Sequence, residues 1–249
     1  MVRKKFVGVD GCKAGWFAVC IDQNSRWETG ICSKVGEVLQ AFEDSDLILI
    51  DIPIGLPSGK PRTCDTEARR LLGRGRGSLV FPPPCREALC ARDYQQACEI
   101  NKRVLGKRLS KQSWMIGPRI KEVDDFLSET REARNSIRES HPELCFQALA
   151  GGSAMRHRKK IKEGFLERLD LLKSRFSETE SLVKSALEIY RRKGVAQDDI
   201  LDALVLAVTA SRPLEELVSI PEPPEKDRLG LPMEIVFAGK FQTLNDASF

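Results

Sequence analysis

The chain has 249 residues, 41% of them hydrophobic and 31% charged, with 40 Lys and Arg against 36 Asp and Glu for a net charge of +4. This balance excludes a disordered polymer. No apolar run approaches the ~20 residues of a membrane helix, and the opening MVRKKF lacks the apolar core and cleavage site of a signal peptide. A soluble cytoplasmic protein with no membrane partner is expected, long enough for one large domain or two small ones.

Residues 5–12, KFVGVDGC, read as a strand, followed by a glycine-containing turn. Residues 16–22 and 26–32 read as two more strands around the turn QNS, which together make an antiparallel meander. Over 34–43, Val35, Val38, Leu39 and Phe42 share one helical face. The run DLILIDI at 46–52 is apolar throughout, as in a strand covered on both faces, and Pro53 ends it. From Gly55 to Arg86 the chain is rich in Gly and Pro, which predicts a loop with short helices.

Helices are predicted over 87–103 and 117–135, the second with Ile120, Val123, Phe126 and Leu127 inward. SIRESHPELCF, 136–146, is strand-like up to Pro142. Amphipathic helices follow over 158–173 and 178–192, the latter with a capping box from Ser177 to Glu180. After Gly194 a helix carries QDDILDALVLAVTAS and closes before Pro213. A Pro-rich link, PEPPEKD, leads to a last strand, MEIVF. The order describes a mixed α/β fold.

Eight cysteines, at 12, 20, 32, 64, 85, 90, 98 and 145, form no C-x-x-C pair and read as reduced buried thiols. Two stretches are basic. Lys102–Lys121 holds seven Lys or Arg and no acid, and Arg156–Lys162 reads RHRKKIK. Such runs are either phosphate-binding patches or solvated helix faces. Aromatic residues, at 6%, do not suggest a stacking platform for single strands.

Two apolar strands end on a carboxylate, Asp10 and Asp51, although an ionised carboxylate is costly to bury unless it is paired or binds metal. Asp199 and Asp202, three apart on the last helix, share a face that continues through Ala203, Leu206, Ala207 and Ala210. Small residues there let the helix approach a sheet closely, which puts the acids on the sheet-facing side. Acids in the first turn that complement the helix dipole are the alternative for Asp198 and Asp199, and fit Asp202 less well. Four converging carboxylates repel one another without cations. Mg²⁺ or Mn²⁺ takes hard oxygen ligands and would relieve that conflict, and a pair of such ions supports phosphodiester cleavage.

The motifs GVDGCKAGW, DIPIGLP, CDTEAR, SLVFPPPCR, ESHPELCF, DDILDAL and GLPMEIVF, in this order, resemble the family called domain of unknown function 429. Its members are regarded as predicted nucleases of ribonuclease H-like fold, and the D-x-x-D-A-L spacing is similar to that of Holliday-junction resolvases. The resemblance implies one domain over 1–249: a mixed five-stranded sheet flanked by helices, with a helical insertion after the fourth strand at roughly 55–135. It implies a divalent-metal-dependent nuclease acting on DNA or RNA, branched forms included. Asp10, Asp51, Asp199 and Asp202 would hold Mg²⁺ or Mn²⁺ and carry catalysis. Glu139 would join them from the fifth strand, where it or Glu143 is either a further ligand or a surface acid. His141 is either a proton carrier or a hydrogen-bonded structural imidazole. Lys13, Arg62, Arg69 and Arg86 would contact substrate phosphates, with ordinary ion pairing as the alternative.

Two other functions compete. The loop DGCKAG is similar to the phosphate loop of sugar kinases and actin-like ATPases, which would make an ATP-binding phosphotransferase. It lacks the hydroxyl residue after the glycines, and no second such loop precedes the last helix. The other alternative keeps the fold as a non-catalytic nucleic-acid-binding or protein-binding module.

Overall fold

The computed structural model describes residues 4–190 and 193–239. It is an α/β protein whose main sheet has the strand order β3-β2-β1-β4-β5. β1 (Lys5–Cys12) runs antiparallel to β2 (Gly15–Asp22), and β2 antiparallel to β3 (Trp27–Cys32). β4 (Leu47–Ile50) lies parallel to β1, with Val7 beside Ile48 and Val9 beside Ile50. β5 is short, Ile137–Glu139. β4 is LILI, almost wholly buried, with α10 (Gln197–Ala210) packed against it.

The chain divides into two compact units. The first holds the residues up to Asp51, then Ser140–Val218 and those from Val236. Here α1 (Val35–Ala41) packs on β2 and β3, and α10 (Gln197–Ala210) lies across β1, β2 and β4. α7 (Pro142–Leu149), α8 (Lys162–Lys173) and α9 (Thr179–Tyr190) pack against α10. From Ile200 to Ala210 every residue of α10 is buried, so this helix is the centre of the unit's core. Gly8 makes the seating possible: a Cβ there would fall 2.0 Å from the Ala203 carbonyl oxygen and 2.3 Å from the Ala207 nitrogen. Only a glycine strand facing small helix residues allows backbones this close.

The second unit spans Ile52–Glu139 and Ser219–Ile235. It contains α2 (Thr63–Leu72), α3 (Arg86–Leu89), α4 (Tyr94–Leu105), α5 (Lys111–Glu129) and α6 (Ala133–Ser136). Asp93 caps α4 by accepting from the Gln96 N–H at 2.8 Å, and Ser110 caps α5 by accepting from Ser113 at 3.0 Å. Cys85, Ala88, Ala97, Cys98 and Leu109 form a small core there, with Tyr94 and Trp114 against it. β6 (Leu217–Lys226) and β7 (Pro232–Ala238) pair as a two-stranded sheet.

Several elements differ from the sequence reading. The residues of the insertion expected at roughly 55–135 fall within Ile52–Glu139, which shares a compact unit with Ser219–Ile235. All of the predicted link PEPPEKD but Asp227 is instead part of strand β6, because a two-stranded ribbon has open edges that tolerate proline. The helix predicted at 87–103 is two helices, α3 and α4, divided where Asp93 caps the second. α5 begins at Lys111 rather than 117 and carries Pro118 inside it. Pro142 opens α7 instead of merely ending a strand, since proline lacks the N–H that a first helical residue leaves unused. α8 starts at Lys162, four residues later than expected. Residues 191 and 192, placed in the helix 178–192, lie outside the described residues.

All eight cysteines are free thiols, seven of them buried and Cys90 exposed. Among the described residues no helix is long and apolar enough to cross a membrane.

Candidate functional site

The register of β1 and β4 sets two of the predicted acids side by side. Val9 pairs with Ile50, and the Asp51 N–H donates to the Val9 carbonyl at 3.0 Å. The next residues, Asp10 and Asp51, therefore neighbour each other on adjacent parallel strands and face the same side. Gly8, two residues before Asp10, also points to that side, and there it meets α10. The third acid arrives with the helix, because Asp202 directly precedes Ala203, the residue lying against Gly8. Asp202 is 1% exposed and Asp10 8%.

The electrostatics reflect this meeting. Burial raises the pKa of Asp10 well above the usual carboxylate range; the charges of Asp202 and Asp51 add to the rise, and Lys159 opposes it. Burial also raises Asp51, with Glu143 adding and with His141 and Lys159 opposing. Asp202 is pushed up to about 7 by burial, against the pull of Lys159, with Asp51 and Glu143 adding to the rise. The Asp10 carboxylate accepts the Gly11 N–H at 2.8 Å, which fixes its orientation. Asp202 Oδ2 accepts from the Lys159 ammonium, while the buried Oδ1 has no hydrogen-bond partner.

Asp199 stands at the edge of the group. Its carboxylate accepts the Ala196 N–H at 2.8 Å and so steadies the first turn of α10, while its charge still reaches Asp10. Lys13 is exposed; its N–H donates to the Gly194 carbonyl at 3.1 Å. With Gly194, Ala196, Gln197 and Asp199 it lines a pocket of about 600 Å³ at the start of α10.

The remaining predicted site residues lie in the second unit and have other duties. Arg62 is 1% exposed. Its guanidinium donates to Asp65, to both oxygens of Glu139 at 2.7 Å, and to the carbonyls of Ile54 and Gly55. Glu139 also accepts the Ile54 N–H at 2.7 Å, so both oxygens of its carboxylate are engaged within the protein. Arg69 clamps the Val80 carbonyl at 3.0 and 2.7 Å. Arg86 forks onto Asp124 at 2.7 and 2.8 Å and also reaches Asp227. These three arginines, expected on phosphates, hold their own unit together, and Glu139, expected on a metal, is the partner of Arg62. Glu143, the other acid considered, pairs with the buried Arg168 of α8.

Lys159 is the site residue that sequence reading missed. It sits in RHRKKIK, where nothing in the spacing separates it from Arg158 or Lys160. Burial works against its ammonium, yet Asp202, and behind it Asp10 and Asp51, hold its pKa above normal. Asp198 lies 3.9 Å from the same ammonium.

Among the described residues, no three or more His, Cys, Asp or Glu side chains stand in a ready metal-holding arrangement. The chemistry of the set nonetheless suits a hard divalent cation: three carboxylates, mutual repulsion not fully offset, and an unpartnered buried oxygen on Asp202.

Compared with known proteins, the chain matches the family described as Protein of unknown function (DUF429) over residues 8–226 and belongs to it. The match takes in both units and all four aspartates. No curated protein and no solved structure matches the chain.

Proposed function

We propose that this protein is a divalent-metal-dependent hydrolase of phosphodiester bonds in nucleic acid, built on a ribonuclease H-like fold. The strand order β3-β2-β1-β4-β5 and a long helix seated across the first strand support the fold reading. The observation that carries the activity is the meeting of Asp10, Asp51 and Asp202, with the buried Asp202 Oδ1 left unpartnered. Carboxylates so close gain from a cation, and Mg²⁺ or Mn²⁺ has the matching preference for hard oxygen. Asp10, Asp51 and Asp202 would hold it, with Asp199 adding negative potential from the first turn of α10.

When bound, such an ion supplies Lewis acidity toward a phosphoryl oxygen and activates water at neutral pH. The chain supplies orientation and charge. Gly11 fixes the Asp10 carboxylate. His141, near enough to influence Asp51, brings an imidazole able to move protons. Arg156, Arg158 and Lys160 are exposed and would attract backbone phosphates in a salt-dependent way.

The test is a cleavage assay with Mg²⁺ or Mn²⁺ over single strands, duplexes, RNA–DNA hybrids and four-way junctions. Cleavage of at least one substrate is expected, lost in Asp10→Asn and in Asp202→Asn. The double variant should be little worse than either single one, because each removes a ligand of the same centre. Absence of cleavage on every substrate, or cleavage unaffected by either variant, would overturn the reading.

A further inference from the structure

The acid cluster already contains a cation of its own. We propose that Lys159 is a resident counter-ion of the Asp10, Asp51 and Asp202 site, and that a divalent metal binds there by exchanging with its ammonium. The inference deepens the proposed function and rests on its metal-binding premise.

Three observations carry it. First, the ammonium contacts Asp202 Oδ2 directly and is the cation felt by all three carboxylates. A metal drawn to these oxygens meets a like charge already seated on one of them. Second, the acids do not stand as a ready metal site in this arrangement among the described residues, while Asp202 keeps one buried oxygen unpartnered. The site thus has ligand capacity that the lysine does not use and a geometry that must adjust before a metal uses it.

Third, the chain around Lys159 is fixed, so that adjustment belongs to the side chain. The N–H groups of Arg156 and His157 donate to Glu167 of α8 at 2.7 and 2.9 Å. Arg168 Nη1 donates to the His157 carbonyl at 3.2 Å. Gly164 lies so close that a Cβ on it would fall 2.0 Å from the Arg158 carbonyl oxygen. The segment is therefore pinned just before the lysine, and after it the Ile161 N–H donates to the Arg158 carbonyl at 3.2 Å. The Lys159 side chain is 36% exposed, so its flexible stem has a path to solvent. The ammonium can turn outward toward Arg158 and Lys160 with no movement of the backbone.

The exchange gives the lysine a definite duty. Without metal, three carboxylates at a sheet end repel one another, and the ammonium offsets part of that repulsion so that the fold tolerates the empty site. With metal, the divalent charge does the same and the lysine is released. Competition of this kind lowers metal affinity, as any pre-existing occupant must.

The experiment reads metal binding and lysine release separately. Calorimetry with Mn²⁺ alone measures affinity in wild type, Lys159→Met and Asp202→Asn. Amine-reactive labelling followed by mass spectrometry measures the accessibility of Lys159 in the wild-type protein with and without Mg²⁺. The expected results are at least tenfold tighter Mn²⁺ binding in Lys159→Met, loss of binding in Asp202→Asn, and several-fold faster labelling of Lys159 when Mg²⁺ is present. Wild-type protein that binds Mn²⁺ while Lys159 labels no faster with Mg²⁺ would overturn the exchange and leave the metal site standing. Absence of Mn²⁺ binding in both wild type and Lys159→Met would remove the metal site and the exchange with it. The labelling arm needs no substitution, so a poorly folding variant does not blunt the test.

Discussion

Two clusters of buried charge, one in each unit, differ in how far their hydrogen bonds are completed. In the second unit every buried charge of the Arg62 network is matched: Arg62 is surrounded by Asp65, Glu139 and two carbonyls, and Glu139 takes a backbone N–H as well. Arg86 likewise joins Asp124 and Asp227. In the first unit Asp10, Asp51 and Asp202 share one ammonium, the charges of Asp202 and Asp51 raise Asp10 and that of Asp51 raises Asp202, and a buried oxygen is left unpartnered. A satisfied network holds a fold together. An unsatisfied one persists at a cost in stability, and such costs concentrate at functional sites. On the proposed function, charged side chains at strand ends and in loops divide into structural and functional sets by whether their partners complete them.

The contrast breaks most visibly at Arg62. Arg62→Met leaves Asp65 and Glu139 buried without their cation and should cost about 3–5 kcal/mol in denaturant unfolding, with or without Mn²⁺. A cost below about 1 kcal/mol would show that the network does not act as described. Gly8→Ala tests the seating of α10 next. The added methyl meets helix backbone at 2.0 Å, where no side-chain rotation relieves it, so a loss of about 1–3 kcal/mol is expected together with weakened Mn²⁺ binding. Unchanged stability would mean that α10 does not rest on β1 this closely.

The pH dependence of the metal-free protein sharpens the comparison. Carboxyls whose folded pKa is raised bind protons more readily folded than unfolded, so their contribution to stability is present at low pH and is lost as pH rises. The window runs from the ordinary carboxylate value near 4 to about 7, where Asp202 titrates in the folded state. Thermal unfolding without metal should therefore favour pH 5 over pH 8; Glu139, pushed up to about 7 by burial, contributes to this as well, and Mn²⁺ should remove only the share due to the aspartate cluster. A cluster that instead gains stability as pH rises across that window would contradict the raised values. Asp10→Asn gives the smallest effect. In metal-free buffer it should keep or slightly raise stability, within about 1 kcal/mol of wild type, because it relieves repulsion. A clear loss would mean that Asp10 serves mainly as the acceptor for Gly11.

Much of the first unit is legible in the sequence because its signals are local. β1 to β4 follow from apolar runs and turns, and α10 from its small-residue face. Asp10, Asp51 and Asp202 stand out because acids are out of place at the end of a buried strand or beside an inward alanine. The rest depends on contacts made far along the chain. Lys159 looks like its neighbours until the fold brings α10 beneath it. Arg62 had one local sign, the three-residue spacing to Asp65, but Glu139, seventy-seven positions away, completes its burial. β6 hides behind its prolines because only an edge-rich ribbon admits them. The start of α7 was marked by Pro142, which reads equally as a strand end or a first helical residue.

On the proposed function, Asp10, Asp51 and Asp202 together hold a divalent cation. A crystal of the protein soaked in Mn²⁺ and measured for anomalous scattering tests it directly. A peak bounded by oxygens of these three aspartates is expected, with the Lys159 ammonium no longer on Asp202. A protein whose soaked crystals show no peak there, with Lys159 still paired to Asp202, would contradict it.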